Sequence, residues 1–114
     1  MPECKTEQNT IAAGKLLSEC TGDNKQEMTI NQLSETVNAL RDLAYYLSFL
    51  TEHLQNEVER HAKTKNIHLV ERKQGDVYKQ LGKVQEILKQ SCASSQSLGE
   101  NYHNALGFTA WMRD

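Results

Sequence analysis

From Ile30 to Val58 the residues Ile30, Leu33, Val37, Leu40, Ala44, Leu47, Thr51, Leu54 and Val58 recur at alternating spacings of three and four, with no Gly or Pro between them. An average period of 3.5 residues keeps one stripe of an α-helix facing the same way over four heptads. The stripe opens at Thr29 and Gln32, a capping-box pair in which a side-chain oxygen accepts from an early helical N–H while the Gln reaches back. A helix from about 30 to at least 61 follows, ~45–50 Å long at ~1.5 Å per residue.

After Val58 the next positions of the stripe are His61, Lys65 and His68, so it fails there. A second stripe, out of phase with the first, runs through Ile67, Val70, Gln74, Val77, Leu81, Val84 and Leu88, with Ile87 beside it. Either the chain turns near "KTKNIH" and returns as a hairpin, or one helix continues through a skip in the heptad. Asp76, after Gly75, can cap a fresh helix over 77–91.

Charge favours the hairpin. Residues 1–59 carry four Lys/Arg against ten Asp/Glu, whereas residues 60–89 carry eight against three. In a hairpin the acidic arm lies along the basic one. Exposed pairs contribute only tenths of a kcal/mol each, so charge selects orientation more than it adds stability.

The flanks are weaker. Asn9 or Thr10 can cap a short helix through "IAAGKLLSEC", which "TGDNKQ" then breaks. "SCASSQ" (91–96) reads as a polar break. Beyond it Ser97 and Glu100 form a second capping-box pattern opening a final helix over 98–112, lined by Leu98, Tyr102, Ala105, Leu106, Thr109 and Met112. Phe108 and Trp111, three apart, share a face of that helix. The organisation expected is residues 1–28 as a flexible N-terminal segment with a short helix, and 29–114 as a helical bundle or coiled-coil domain.

Composition agrees: 6% aromatic residues and a single proline, Pro2, with many Leu, Glu, Gln and Lys, favour helices over a sandwich or barrel. The fold class expected is all-α, a long central helix in a helical hairpin or bundle with coiled-coil character. Cys4, Cys20 and Cys92 are an odd count without a C-x-x-C pair, which fits reduced thiols. No N-terminal run resembles a signal peptide and no 18-residue apolar stretch could span a bilayer. An intracellular location, cytoplasmic or nuclear, is the expectation.

Chemistry-bearing patterns are few. His53, Glu57 and His61 stand at i, i+4 and i+8, a spacing that suits a metal ridge, yet Glu52, Gln55, Asn56, Glu59 and Arg60 surround them as on any solvated helix. No phosphate-cradling Gly loop, H-E-x-x-H or G-x-S-x-G occurs, so neither an enzyme nor a cofactor is expected. Lys and Arg in 60–89 are dispersed, with Tyr78 the one aromatic among them, so nucleic-acid binding ranks low.

The stretch "LRDLAYYLSFLTEHL" (40–54) stands out. Leu43, Tyr46 and Leu50 add a second row beside Leu40, Ala44, Leu47 and Leu54, and Tyr45 and Phe49 widen the surface further. One neighbouring helix does not cover that arc, so at least two are expected to pack there, supplied by 77–91, 98–112 or another chain. A non-catalytic adaptor or assembly subunit follows, binding itself or another helical protein. Its contact residues are Leu40, Leu43, Tyr46, Leu47, Phe49, Leu50 and Leu54, with Phe108 and Trp111 as a second anchor. The alternatives are a small helical regulator or inhibitor docking on an enzyme, of viral or phage type, and a basic-helix nucleic-acid binder.

Overall fold

The structure is a computed structural model that describes residues 2–64, 67 and 75–114. The described residues form α1 (Lys5–Ser18), a 3-10 turn (Gly22–Asn24), α2 (Ile30–Ala62) and α3 (Val77–Thr109). The molecule is all-α and elongated, 59 × 27 × 26 Å. Its body is a hairpin of α2 and α3, the arrangement that the charge pattern favoured over one continuous helix.

The start of α2 is the expected capping box. Thr29 Oγ1 accepts from the Gln32 N–H at 3.1 Å, and Gln32 Oε1 accepts from the Thr29 N–H at 3.0 Å. Between them they satisfy two of the backbone donors that a helix start leaves free. Arg60 and His61 occupy the last turn, where positive charge suits the carbonyl end of the helix dipole. Asp76 caps α3 as expected, accepting from the Tyr78 N–H at 2.8 Å.

Beyond that start, α3 departs from expectation. It runs 33 residues without interruption, so "SCASSQ" is no break and Ser97 and Glu100 lie inside the helix, not at a cap. Ser and Cys each cost at most ~0.7 kcal/mol relative to Ala in a helix, which packing along α2 outweighs. Ser91 Oγ also donates back to the Ile87 carbonyl at 2.8 Å, keeping its own hydrogen bond within the helix. The helix ends at Thr109, so Trp111 and Met112 stand past it. Similarly, α1 begins at Lys5, ahead of both expected caps. Thr10 Oγ1 donates to the Thr6 carbonyl at 2.7 Å from inside the helix. Gly22, at φ 62, makes the expected break after it.

The seam between α2 and α3 is the main correction. Val37, Ala44, Thr51 and Val58 face α3 as expected, whereas Leu33, Leu47 and Leu54 are exposed and Leu40 is only half-buried. Their places are taken by the residues one later: Ser34, Arg41, Ser48 and Gln55. From α3 the facing set is Val77, Leu81, Gln85, Leu88, Cys92, Ser95, Gly99, Tyr102, Leu106 and Thr109. Val84 and Ile87, expected on that side, are exposed. Of the second expected stripe, Val70 and Gln74 lie outside the described residues, as do Lys65 and His68, and Ile67 stands outside any helix.

Small residues explain the choice. Ala44 and Ser48 are 2% exposed, the most buried side chains of α2, and Gly99 is the buried residue of α3. Where two helices meet through Ala, Ser and Gly their backbones approach closely, and a leucine there would hold them apart. The ring of Tyr45 lies over Gly99, so that a Cβ at Gly99 would stand 2.8 Å from Tyr45 Cε1.

Polar rungs fix the antiparallel register. Ser34 and Thr109 hydroxyls are 3.2 Å apart, the Cys92 thiol donates to the Ser48 carbonyl at 3.5 Å, and Gln55 Nε2 donates to the Leu88 carbonyl at 3.5 Å. At the open end, the Asp114 carboxylate accepts from the Ile30 N–H at 2.8 Å and the Asn31 N–H at 3.2 Å, placing a negative charge on the start of α2. No ion pair joins α2 to α3 among the described residues. Arg41–Asp42, Glu57–Arg60 and Glu59–Lys63 all lie within or at the end of α2, so direct pairing of an acidic with a basic arm does not hold the hairpin.

Candidate functional site

A helix advances 100° per residue. The residue one before a seam position therefore stands about 100° round from it. In two antiparallel helices that step carries both to the same broad face of the hairpin. On α2 this inner row is Leu33, Leu40, Leu47 and Leu54. On α3 it is Val84, Ser91, Leu98 and Ala105. Both rows are strict heptads. Leu33, Leu47, Leu54, Val84 and Leu98 are exposed, and Leu40 is half-buried. The least polar stretch of the sequence thus has Leu43, Leu47 and Leu54 on the outside of the hairpin.

The expected contact residues divide accordingly. Leu40, Leu47 and Leu54 belong to the inner row. Leu43, exposed, and Leu50, half-buried, stand one row further from α3. Tyr46 points away from the seam and Phe49 toward the other flank, each 63% exposed, so the aromatic pair does not join the leucines in one patch. On α3, Phe108 is 74% exposed on the side of the inner row. Trp111, 88% exposed, sits in the turn beyond the helix, so the two do not share a helix face.

The arc expected to need two covering helices receives less. Because α3 is one continuous helix along the seam, it leaves the leucine row outside. The second neighbour is α1, which lies antiparallel to α2: its first turns face Leu50, His53, Leu54 and Glu57, and its last turns face Leu43, Tyr46, Leu47 and Leu50. It packs loosely. No Cα of α1 comes within 8 Å of one in α2, and grooves of ≈ 490 and ≈ 410 Å³ remain between them. Ile11, Leu16 and Leu17 of α1 are themselves exposed.

The accessible surface is 9593 Å². A compact monomer of 13.0 kDa exposes about 6,300 Å² by the size scaling of folded proteins, so this chain exposes roughly half as much again.

The polar ridge does different work. Arg60 binds Glu57 at 2.7 Å and contacts His61 Nε2 at 3.1 Å. The Arg60 hydrogen bond holds the Glu57 carboxyl below its ordinary range, and Glu57 in turn raises Arg60. Among the described residues no three His, Cys, Asp or Glu side chains gather as a metal-holding group, and no helix is long and apolar enough to cross a membrane. All three cysteines are free; Cys4 and Cys20 are exposed and Cys92 is half-buried in the seam.

Sequence reasoning missed Tyr45, Ser48, Cys92 and Gly99 as seam residues, and Val84 and Leu98 as half of the exposed face. The signal was present. Cys92, Ser95, Gly99 and Tyr102 carry the same three-four spacing as the leucines, in small residues rather than large ones. No family model matches this chain, and no curated protein or solved structure does either.

Proposed function

We propose that this chain is a non-catalytic protein–protein interaction module, an adaptor or assembly subunit that joins helices through the leucine row of α2. One observation carries the reading: the hairpin closes through its small-residue seam without Leu33, Leu47 or Leu54, which stay 40–49% exposed even with α1 loosely beside Leu47 and Leu54. Fully burying a leucine stabilises by about 1.5–3 kcal/mol, so covering a half-exposed row of four contributes several kcal/mol to association. The polar Glu52 flank and the apolar Leu47 flank give the surface a direction.

A photo-crosslinking amino acid at Leu47, compared with one at Glu52, tests this in the native extract. Discrete adducts from position 47 and none from position 52 are expected. Equal, diffuse labelling from both positions, or no adduct from 47, refutes it.

A further inference from the structure

We infer that the partner on the leucine row is α3 of a second copy of this chain, the two hairpins forming an antiparallel four-helix bundle about a two-fold axis parallel to α2. The inference rests on the interaction reading and names its occupant. Four observations lead to it.

First, both helices present their inner rows to the same face, so one hairpin offers two parallel tracks, and a copy turned about that axis sets α2 of one over α3 of the other. In that arrangement every neighbouring pair of helices is antiparallel, as in up-down bundles.

Second, the tracks are complementary in size. The α2 row is all leucine, whereas the α3 row alternates larger residues (Val84, Leu98) with small ones (Ser91, Ala105). Since the axis keeps heights unchanged, Leu47 falls between Ser91 and Leu98 of the copy, as it does beside its own α3. Large residues facing small ones are what let bundle layers interdigitate.

Third, charge selects the pairing. Between Ile30 and Ala62, α2 carries five acids (Glu35, Asp42, Glu52, Glu57, Glu59) and two bases (Arg41, Arg60), a balance of −3. Between Val77 and Thr109, α3 carries Lys79, Lys83 and Lys89 against Glu86 and Glu100, a balance of +1. Setting α2 beside α2 of the copy would juxtapose two acidic helices, and setting it beside α3 does not.

Fourth, the area suffices. The leucine row spans ~32 Å at ~1.5 Å per residue, and two helix pairs of that length and ~10 Å width bury on the order of 1,300 Å² in total. That lies within the ~1,200–2,000 Å² of stable complexes, and below the surface this chain exposes in excess of a compact monomer. In the bundle α1 stays on the far flank of α2, over Leu43, Tyr46 and Leu50, and borders Leu47 and Leu54 from that side.

Sedimentation equilibrium of the full chain over a wide concentration range is the first test, with a dimer expected. Leu47→Asp is expected to weaken that dimer about a hundredfold or more, one charge per copy, while the far-UV helix signal stays unchanged. Leu98→Glu, on the other track, is expected to do the same should Leu47→Asp lose its helicity. Pairing is tested by mixing Leu47→Cys protein with Leu98→Cys protein, Cys4 and Cys20 being serine in both. Mixed disulfide in excess of either homodisulfide is expected.

A monomer at every concentration overturns the inference, and so does a dimer that favours the Leu47→Cys homodisulfide. A monomer that still gives discrete adducts to another protein from position 47 in extract overturns the second copy and leaves the interaction reading standing. A monomer without adducts overturns both.

Discussion

Replacing Gly99 with alanine separates the contribution of close helix approach from that of helix propensity. At an unobstructed helical position the change stabilises, because Ala is better than Gly by about 0.8–1.0 kcal/mol in a helix interior. Gly82 is such a position, with nothing within 4 Å of where its Cβ would stand. At Gly99 the same atom would meet Tyr45 Cε1 at 2.8 Å and Cδ1 and Cζ at 3.0 Å. Either the ring swings off the seam or the helices part, and overpacking of this kind costs about 1–3 kcal/mol. Gly82→Ala is therefore expected to gain about 1 kcal/mol, whereas Gly99→Ala loses about 0–2 kcal/mol. Urea unfolding followed by circular dichroism, at one fixed protein concentration, reads both values and keeps any change in association constant. In a Tyr45→Ala background the obstruction is gone, so Gly99→Ala should recover most of the propensity gain. The Tyr45–Gly99 coupling should then reach at least about 1 kcal/mol. Should Gly99→Ala stabilise the parent as much as Gly82→Ala does, or should the coupling vanish, close approach at this layer is not what orders the seam.

Two further outcomes follow from the same geometry. The exposed Cys4 and Cys20 thiols should react rapidly with a soluble disulfide reagent, whereas Cys92, held against the Ser48 carbonyl, should react only as fast as the hairpin opens. Equal rates at all three would place Cys92 outside the seam. Arg60→Gln should return the Glu57 titration midpoint, followed by NMR, upward toward the ordinary carboxylate range, since the Arg60 hydrogen bond is the main cause of its lowering. The sign follows from the depressed value: whatever this pair contributes to stability is present at neutral pH and lost as pH falls through the Glu57 midpoint.

Helix positions with strong local chemistry were legible in the sequence. Thr29 with Gln32 and Asp76 marked the starts of α2 and α3 because a cap is a contact between residues two or three apart, and local order is enough to see it. The length of α2 followed from an unbroken period. The phase of the seam did not. A hydrophobic-period argument assigns the largest apolar residues to the interior, and here the interior went to Ala44, Ser48 and Gly99. Their value lies in how closely another backbone can approach, a property of the pair and not of either residue. The break assigned to "SCASSQ" failed for the same reason. Polarity suggested a loop, while Cys92 and Ser95 are the small residues α3 needs where it crosses Ser48. The proposed binding face keeps the leucines, whereas Tyr46 and Phe49 stand on different faces of α2 and Trp111 lies beyond the end of α3.

The small, polar seam has a consequence for how this surface can change. A seam of interchangeable leucines can slip by a heptad at little cost, whereas one fixed by Ser34 to Thr109, Ser48 to Cys92 and Asp114 to the start of α2 has a single alignment. On the proposed reading, shape and adhesion are thereby encoded in separate letters of each heptad. Substitutions at Leu33, Leu47 and Leu54 then alter what the molecule adheres to while its architecture stays intact. The exposed leucines of the inner row are free to diversify, and a lineage carrying this hairpin retargets it by drift at three positions.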